Sequence, residues 1–554
     1  MPAYLNCETR KQPVCFRVSF AHTTAHPVHV RPRSLTLPFE LARVTSFIRS
    51  YSGAINRLIL FLPFLPSPYH WICHPHVCRS PIGAFGDSLP DAVRSCADRN
   101  FRRCFCRTKC PKHATGLESI VGRVARGLTV THLREQQTRI RFWQHLALFM
   151  LAYALVITRK PDAIFHAQFW AEDGRAWFAD AYNLGPWHPF FRPETGYFQT
   201  LPRIAADLAM LVPLSLAPLV LNIIAIGVQV LPINLLVSFR SAEWGETWLR
   251  ALLAFTYLAI PSSPEICANI TNEQWILAFC VFLLLVGSPP RSSSGRFVDL
   301  SFTVLCGLTG PFCIFLLPIS LLVALRRTGR WRWVPVFILA GCCVIQAVGL
   351  LIVSPNARTA WGVLGARFDL FVRILAGNVF LGSLIGANNI AIDPGAHAFI
   401  FLAFVAASGV TIAAFALRRA PLPMKLLALY AGMLFLAALR LPSSYAPRGT
   451  TQWEMIAGAA AVRYWFLPTL TFIWLLIFGA FGNGKIIKVL SGVLLCCLCF
   501  GIAIQWRRPV FQDFHYAAEV ERVKAAPAGT TVSIPINPEG WQMRLIKHQA
   551  PGKP

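Results

Sequence analysis

The sequence predicts a polytopic membrane protein built of α-helices, on the evidence of its composition and its apolar runs. Of its 554 residues, 55% are hydrophobic and only 14% are charged, whereas soluble domains carry roughly 25% charged residues. The mean hydropathy of +0.51 leaves too few polar side chains to cover a water-soluble globule of this size. The composition therefore excludes an ordinary soluble enzyme, a disordered protein and a fibrous protein.

Long apolar runs after residue 141 are candidates for membrane-spanning helices, which need roughly 20 mostly apolar residues each. A further apolar segment, 370–387, is predicted to lie in the interface or to re-enter the membrane. The motif GLTGPF at 307–312 predicts a break that turns its run into a short helical hairpin, so we expect about 10 to 12 transmembrane helices. The candidate runs are 142–157, 216–238, 248–262, 273–288, 297–325, 333–353, 397–417, 423–440, 462–481 and 486–505.

The orientation follows from basic loops, because Lys and Arg accumulate on the cytoplasmic side of a membrane protein. Placing these loops in the cytoplasm sends 158–215, 263–272, 354–396, 441–461 and the tail 506–554 to the outside. All basic loops fall on one side only if 297–325 crosses the membrane twice, as the predicted hairpin does. The basic residues concerned are Arg139, Arg141, Arg291, Arg296, Arg326, Arg327, Arg330, Arg332, Arg418, Arg419, Lys425, Lys485 and Lys488.

The N-terminal extension 1–141 is rich in Arg, Cys and Pro and shows no helical or strand periodicity. Cys104, Cys106, Cys110 and His113 lie close together, but their first gap of one residue does not match the spacing of zinc sites. No nucleic-acid-binding motif accompanies the basic charge. We expect this extension to be disordered, or to precede the true start of the protein, and we assign it no nucleic-acid partner.

An adjacent pair of acidic residues, Glu172 and Asp173, marks the longest loop between predicted spans, 158–215. Carboxylates accept a proton from a sugar hydroxyl or help to hold a metal ion. The alternative is that both acids are solvated loop residues without a chemical role. The loop also carries aromatic side chains suited to packing on sugar rings and arginines suited to binding phosphate. These are Trp170, Trp177, Tyr197, Arg192 and Arg203.

The sequence FWAEDGRAWFADAY, followed by GYFQTLPRIAADLA, resembles the first outer loop of bacterial membrane glycosyltransferases of the GT-C type, in a poorly characterised branch of that family. Three later motifs are similar to the same family: NITNEQW at 269–275, GLTGPF at 307–312 and VRYWFLP at 462–468. The resemblance covers roughly residues 142–545 and leaves the N-terminal extension unexplained.

The resemblance implies an enzyme of the bacterial cytoplasmic membrane. Enzymes of the GT-C type take a sugar from a polyprenyl-phosphate carrier at the outer face and transfer it, with inversion, to a glycan or lipid acceptor. An acid of the first outer loop serves as general base or as a metal-linked group. Carried over to this chain, Asp173 is the first choice and Glu172 the second. Members differ in their use of a divalent metal, and nothing in this sequence requires one.

The other motifs have structural alternatives. In NITNEQW, a polar cluster either caps a helix, with Thr271 or Asn272 as N-cap, or lines a sugar site together with Trp275. The cluster consists of Asn269, Asn272, Glu273 and Gln274. In VRYWFLP, Arg463 either extends to the membrane interface or binds a lipid phosphate beside Tyr464. His166 and His188 flank the acidic pair but are too isolated to make a metal site.

The tail 506–554 contains Thr530 to Ile536, which reads as a strand, and we expect it to pack on the outer loops. Two other functions remain open: a transporter or flippase of lipid-linked sugars, and a non-catalytic membrane partner. A transporter places ionisable residues near the middle of its spans, whereas Asp207 and Asp299 lie near predicted span ends.

Overall fold

A computed structural model describes residues 142–548 except 263, 354–361, 387–395, 443–445, 447–448, 459–460 and 483. The predictions for the N-terminal extension, including its cysteine cluster, lie outside the described residues. The described chain is mostly helical. In chain order its α-helices are α1 (Phe142–Arg159), α2 (Asp162–Phe165), α3 (Ala179–Leu184), α4 (Thr200–Ala209), α5 (Ala217–Val237), α6 (Thr247–Ala259), α7 (Glu273–Val286), α8 (Ser293–Gly307), α9 (Cys313–Arg326), α10 (Val334–Val348), α11 (Phe368–Arg373), α12 (Gly382–Ile385), α13 (Ala396–Arg419), α14 (Leu422–Arg440), α15 (Gln452–Ala457), α16 (Phe466–Phe481), α17 (Lys485–Ile504) and α18 (Tyr516–Ala525).

Eight helical segments of the described chain are long and apolar enough to cross a membrane. This agrees with the expected multi-pass membrane protein, but the number is lower than the expected 10 to 12, because α6, α7, α8 and α9 are each shorter than a full span. Two further apolar helices, Ile270–Val286 and Cys313–Arg326, are shorter than a full span, as is α6. The eight segments are Phe142–Arg159, Leu214–Val237, Arg330–Leu351, Phe368–Ile385, His397–Arg419, Leu422–Arg440, Val462–Phe481 and Lys485–Ile504.

The predicted break at GLTGPF is present, because α8 ends at Gly307 and α9 begins at Cys313. Both helices pack on α10. Ser293 begins α8 and Arg326 ends α9, and both residues lie near the same basic loops. The chain therefore runs from those loops to the GLTGPF turn and back. The hairpin on which the predicted parity depends is therefore observed.

The basic loops gather at one end of the helix bundle. Arg327 donates hydrogen bonds to the carbonyls of Val286 and Gly287 at 2.9 and 2.6 Å. Arg240 forms a bidentate ion pair with Asp299, with both contacts at 2.7 Å. These contacts join the loops after α5, α7 and α9, as the positive-inside prediction requires. We call this the basic end.

Segment Phe368–Ile385 is long enough to span by length and composition, but its contacts show a different course. Near its start, Arg367 lies 3.9 Å from Glu454. In its middle, the Asn378 amide donates to the carbonyl of Ile456 at 3.1 Å, and Gly386 lies beside Gln505. All three partners lie at the end opposite the basic end. A crossing helix must join opposite ends of the bundle. These contacts therefore agree with the predicted interfacial or re-entrant segment.

The tail forms α18 and an antiparallel hairpin of β1 (Thr531–Ile536) and β2 (Trp541–Ile546). The predicted strand is thus confirmed to within one residue. The tail packs on the first loop: the backbone N–H of Ala171 donates to the carbonyl of Asn537. The Asn183 amide also donates to the carbonyl of Arg544 at 2.9 Å. The expectation that the tail packs on loop 158–215 is confirmed.

A buried arginine fixes the start of the tail. The Arg508 guanidinium donates to the carbonyls of Ile260, Pro261 and Ser262 at 2.6, 2.6 and 3.1 Å. Arg159 at the end of α1 donates to the carbonyl of Ile260 at 2.9 Å as well. Carbonyls in a turn among apolar helices need internal donors, because lipid offers none. The two arginines supply them.

We expect Arg508→Met to release the tail from the bundle. A lost hydrogen bond to a charged group costs roughly 1.5–3 kcal/mol, so chymotrypsin should cleave the tail of the purified protein at least about tenfold faster. The exposed neighbour Arg507 provides the matched control, since Arg507→Met should leave the cleavage rate unchanged. Equal cleavage rates in the two variants would contradict the proposed anchor.

Candidate functional site

A cavity of about 900 Å³ opens at the end of the bundle opposite the basic end. Helices α7, α9 and α16 each begin at this cavity and run toward the basic end. All four motifs of the sequence contribute to its wall, although they lie far apart in the chain. The contributing motif residues are Trp170, Glu172, Tyr197, Asn272, Trp275, Phe312, Arg463 and Tyr464.

The two acidic residues of the first loop have different surroundings. Glu172 is half-buried and lines the cavity, and its carboxylate has no hydrogen bond or ion pair with any residue that the structure describes. Asp173 is only 1% exposed and does not line the cavity. Ala171, directly before them, adopts a left-handed conformation with φ of +44°. The geometry therefore reverses the predicted order, and Glu172 becomes the candidate for contact with a substrate.

Asp173 holds the backbone of the NITNEQW motif. Its carboxylate accepts hydrogen bonds from the N–H of Thr271 at 2.9 Å, from the Thr271 hydroxyl at 2.5 Å and from the N–H of Ile270 at 3.3 Å. Burial raises the pKa of Asp173 to about 7, while these donors oppose the rise. The side chain thus joins the first loop to the start of α7, which is a structural role.

Some residues of the NITNEQW motif cap a helix, and others line the cavity. Asn269 caps the turn by accepting a hydrogen bond from the N–H of Asn272 at 3.1 Å, so capping is observed, but by Asn269 rather than by Thr271 or Asn272. Trp275 lines the cavity with its ring 4.8 Å from that of Phe312. Glu273 is fully buried outside the cavity wall, and the prediction that it binds substrate is wrong for this geometry.

Arg463 lines the cavity as an ion pair with Glu265, whose carboxylate lies 3.0 Å from the guanidinium. The same carboxylate accepts the backbone N–H of Arg463 at 2.9 Å. The side chain is therefore held over the cavity by a counter-charge, which simple extension to the interface does not explain. Glu265 was not predicted from the sequence, because it is a single acid in the outer loop before NITNEQW.

Arg203 is corrected from a phosphate ligand to a structural residue. Only 3% of it is exposed. It pairs with Asp180 at 2.7 Å and lies over the ring of Trp177 at 4.8 Å. Arg192 lies 3.8 Å from the same carboxylate. These contacts fix α4 against the first loop and leave Arg203 no access to the cavity.

Three further cavity residues that were not predicted from the sequence contact one another. Arg175 forms a hydrogen bond with Glu194 at 3.1 Å, and its guanidinium lies 4.8 Å from the ring centre of Trp541. All three side chains line the cavity. Arg175 and Glu194 belong to the first loop, but Trp541 comes from the tail. The available signal for Trp541 was its position directly after a predicted turn. Nothing in the local sequence linked it to a loop some 370 residues earlier.

A buried glutamine, Gln346 of α10, holds the GLTGPF turn in place. Its side-chain oxygen accepts the N–H of Phe198 at 2.9 Å. Its amide nitrogen donates to the carbonyls of Gly307 and Gly310 at 3.1 and 3.2 Å. Gly310 has a φ of +79°, and a Cβ there would lie 2.2 Å from the side-chain oxygen of Gln274. The predicted tight turn is thus present, and it forms part of the cavity floor.

The described parts of the chain contain no cluster of potential metal ligands. No group of three or more His, Cys, Asp or Glu side chains there is placed to hold a metal ion. His166 and His188 are both exposed.

No family model, curated protein or solved structure matches the chain. The resemblance to GT-C glycosyltransferases therefore remains a prediction that depends on the motif residues.

We expect Gly310→Ala to destabilise the cavity floor by about 2 kcal/mol, because the new methyl group meets Gln274 and the backbone stays left-handed. Thermal unfolding of the purified protein measures this as a lower Tm. The matched control is Gly341→Ala on α10, where a Cβ meets nothing within 4 Å. A Tm for Gly310→Ala equal to that of the control would contradict the described packing.

The buried Asp173 predicts a pH dependence of stability. Its pKa is about 7 when folded, against an ordinary value of 3.8, so the folded state retains a proton that the unfolded chain releases. The resulting stabilisation is complete below about pH 4 and is lost as the pH rises through about 7. We expect the Tm of the wild type to fall over this range more steeply than that of Asp173→Asn. Parallel pH profiles would contradict the assignment.

Proposed function

We propose that the protein is a membrane glycosyltransferase that moves a sugar from a polyprenyl-phosphate carrier to an envelope glycan or lipid acceptor. The outer face of a bacterial cytoplasmic membrane is the proposed place of reaction. One observation carries the proposal: the lining of a single cavity combines the Glu172 carboxylate, which has no ion pair among the described residues, with other charged side chains and with apolar side chains of α9 and α14.

The two walls match a substrate that is polar at one end and apolar at the other. The polar wall contains Glu172, Arg175, Glu194, Glu265 and Arg463. Ligand pockets combine apolar surface with a few placed polar groups that fix orientation. A lipid-linked sugar presents both characters. The apolar wall comes mainly from α9 and α14 and contains Phe312, Ile314, Phe315, Leu350, Leu434, Ala437, Ala438 and Leu441.

The depth of the cavity supports a substrate whose chain stays in lipid. Helix α7 runs from the cavity floor to the basic end over Glu273–Val286. At 1.5 Å per residue this helix is roughly 20 Å long, whereas the hydrocarbon core of a bilayer is roughly 30 Å thick. The floor therefore lies below the membrane surface, within reach of a phosphate whose prenyl chain remains in the bilayer.

In the proposed reaction, an acceptor hydroxyl attacks the anomeric carbon of the sugar. Glu172 takes the hydroxyl proton as the new carbon–oxygen bond forms. The bond between the anomeric carbon and the phosphate oxygen breaks, its electron pair leaves with the phosphate, and the configuration inverts. Arg463 and Arg175 are the guanidinium groups of the cavity wall that are suited to bind that phosphate.

The burial of Glu273 supports a second candidate function, that of a transporter. It is fully buried at the start of α7, and neither oxygen of its carboxyl has a hydrogen-bond partner among the described residues. Buried ionisable residues of this kind serve as proton relays in transporters. A transporter would depend on Glu273, whereas the proposed transferase depends on Glu172.

We expect Glu172→Gln to reduce sugar transfer by about 10²–10⁴-fold, the usual contribution of a general base, at normal protein abundance. Membrane vesicles with a radiolabelled lipid-linked sugar pool provide the measurement, read as label in the acceptor fraction. The control is Glu246→Gln, which removes an exposed carboxylate near the basic end. Full transfer by Glu172→Gln would contradict the proposal, and a selective loss of lipid-linked sugar movement in Glu273→Gln would favour the transporter.

A further inference from the structure

A second cavity of about 510 Å³ adjoins the first on the side of the tail. We call it the outer cleft. Its lining consists of Arg175, Gly540, Trp541, Gln542 and Arg544. Arg175 and Trp541 also line the main cavity, so these two side chains form the wall between the two spaces.

Contacts with neighbouring side chains fix the wall between the two cavities, and part of the wall is exposed to water. The Arg175 guanidinium lies 4.8 Å from the ring centre of Trp541 and 3.1 Å from a carboxylate oxygen of Glu194, and the side chain is 47% exposed. Trp541 begins β2, directly after the left-handed Gly540 with φ of +88°. None of the lining residues of the outer cleft belongs to α9 or α14.

The outer cleft has a net positive charge from Arg544, because Arg175 is paired with Glu194. Arg175 and Arg544 are its ionisable residues, and no carboxylate lines it. The backbone of Arg544 is fixed by the hairpin register with Ser533 and by a hydrogen bond from Asn183 at 2.9 Å. Its guanidinium forms no ion pair with any residue that the structure describes. Glu539 is exposed beside Gly540 but does not contribute to the lining.

We propose that the outer cleft binds the acceptor, and that the acceptor is an anionic carbohydrate bearing carboxylate or phosphate groups. Guanidinium groups bind both anions bidentately, and an aromatic ring beside them offers a face for a sugar. The carrier then occupies the apolar side of the main cavity, and the two substrates meet at the wall of Arg175 and Trp541. This inference names the acceptor of the proposed glycosyltransferase and rests on that function, whereas binding to the cleft is measurable without transfer.

The test measures oligosaccharide binding to the full purified chain by isothermal titration calorimetry. Tetragalacturonate supplies carboxylates, mannopentaose phosphate supplies a phosphate, and maltotetraose is the neutral probe. We expect at least one anionic probe to bind at least about tenfold more tightly than maltotetraose, which is about 1.4 kcal/mol. The anionic probe that binds identifies the charged group. Arg544→Gln should weaken its binding at least tenfold, while Arg507→Gln, which removes an exposed charge outside the cleft, should not.

Equal binding of charged and neutral probes, no binding of either anionic probe, or equal affinities of Arg544→Gln and the wild type would overturn the proposal. An unchanged Tm for Arg544→Gln, whose side chain is exposed, shows that the variant is folded. Glu172→Gln separates this inference from the proposed function. If that variant transfers sugar normally while Arg544→Gln loses anion binding, Glu172 is not the general base of the proposed reaction, and the outer cleft still binds anionic carbohydrate.

Discussion

Irregular backbone below the membrane surface must find its hydrogen-bond partners inside the protein, because lipid provides none. The structure meets this constraint with a few buried polar side chains. Asp173 serves the turn before α7, Arg508 serves the turn after α6, and Gln346 serves GLTGPF. The same contacts bring together loops that are distant in sequence, so the polar groups that make the irregular backbone tolerable also build the cavity.

This arrangement ties the tail to the chemistry of the first loop. Asn537 accepts the N–H of Ala171, the residue whose left-handed conformation precedes Glu172. Trp541 then closes the cavity beside Arg175. Substitutions in the tail therefore act on the cavity although the tail lies outside the helix bundle. The basic end is linked to the cavity through α7, α9 and α16, which run between them.

The sequence predicted the helices and the hairpin at GLTGPF well, because apolar runs and Gly-Pro turns are local signals. It also predicted that Trp170, Tyr197, Trp275 and Arg463 belong to one site, since polar and aromatic side chains cluster where loops meet spans. The ranking of Asp173 above Glu172 was wrong on geometry, because adjacent acids differ only in burial, and that depends on distant contacts. The position of Trp541 in the cavity wall was not predicted from the sequence, because it also depends on distant contacts.

The most direct test of the cavity as a carrier site is photo-crosslinking at its apolar wall. A benzophenone side chain introduced by Phe315→p-benzoylphenylalanine lies in that wall, where Phe315 is half-buried, whereas the same change at Phe404 lies on the exposed surface of α13, 69% accessible. Radiolabelled polyprenyl phosphate should crosslink at 315 and be displaced by excess unlabelled carrier, while labelling at 404 stays weak and undisplaced. Equal, undisplaced labelling at both positions would contradict a carrier site in the cavity.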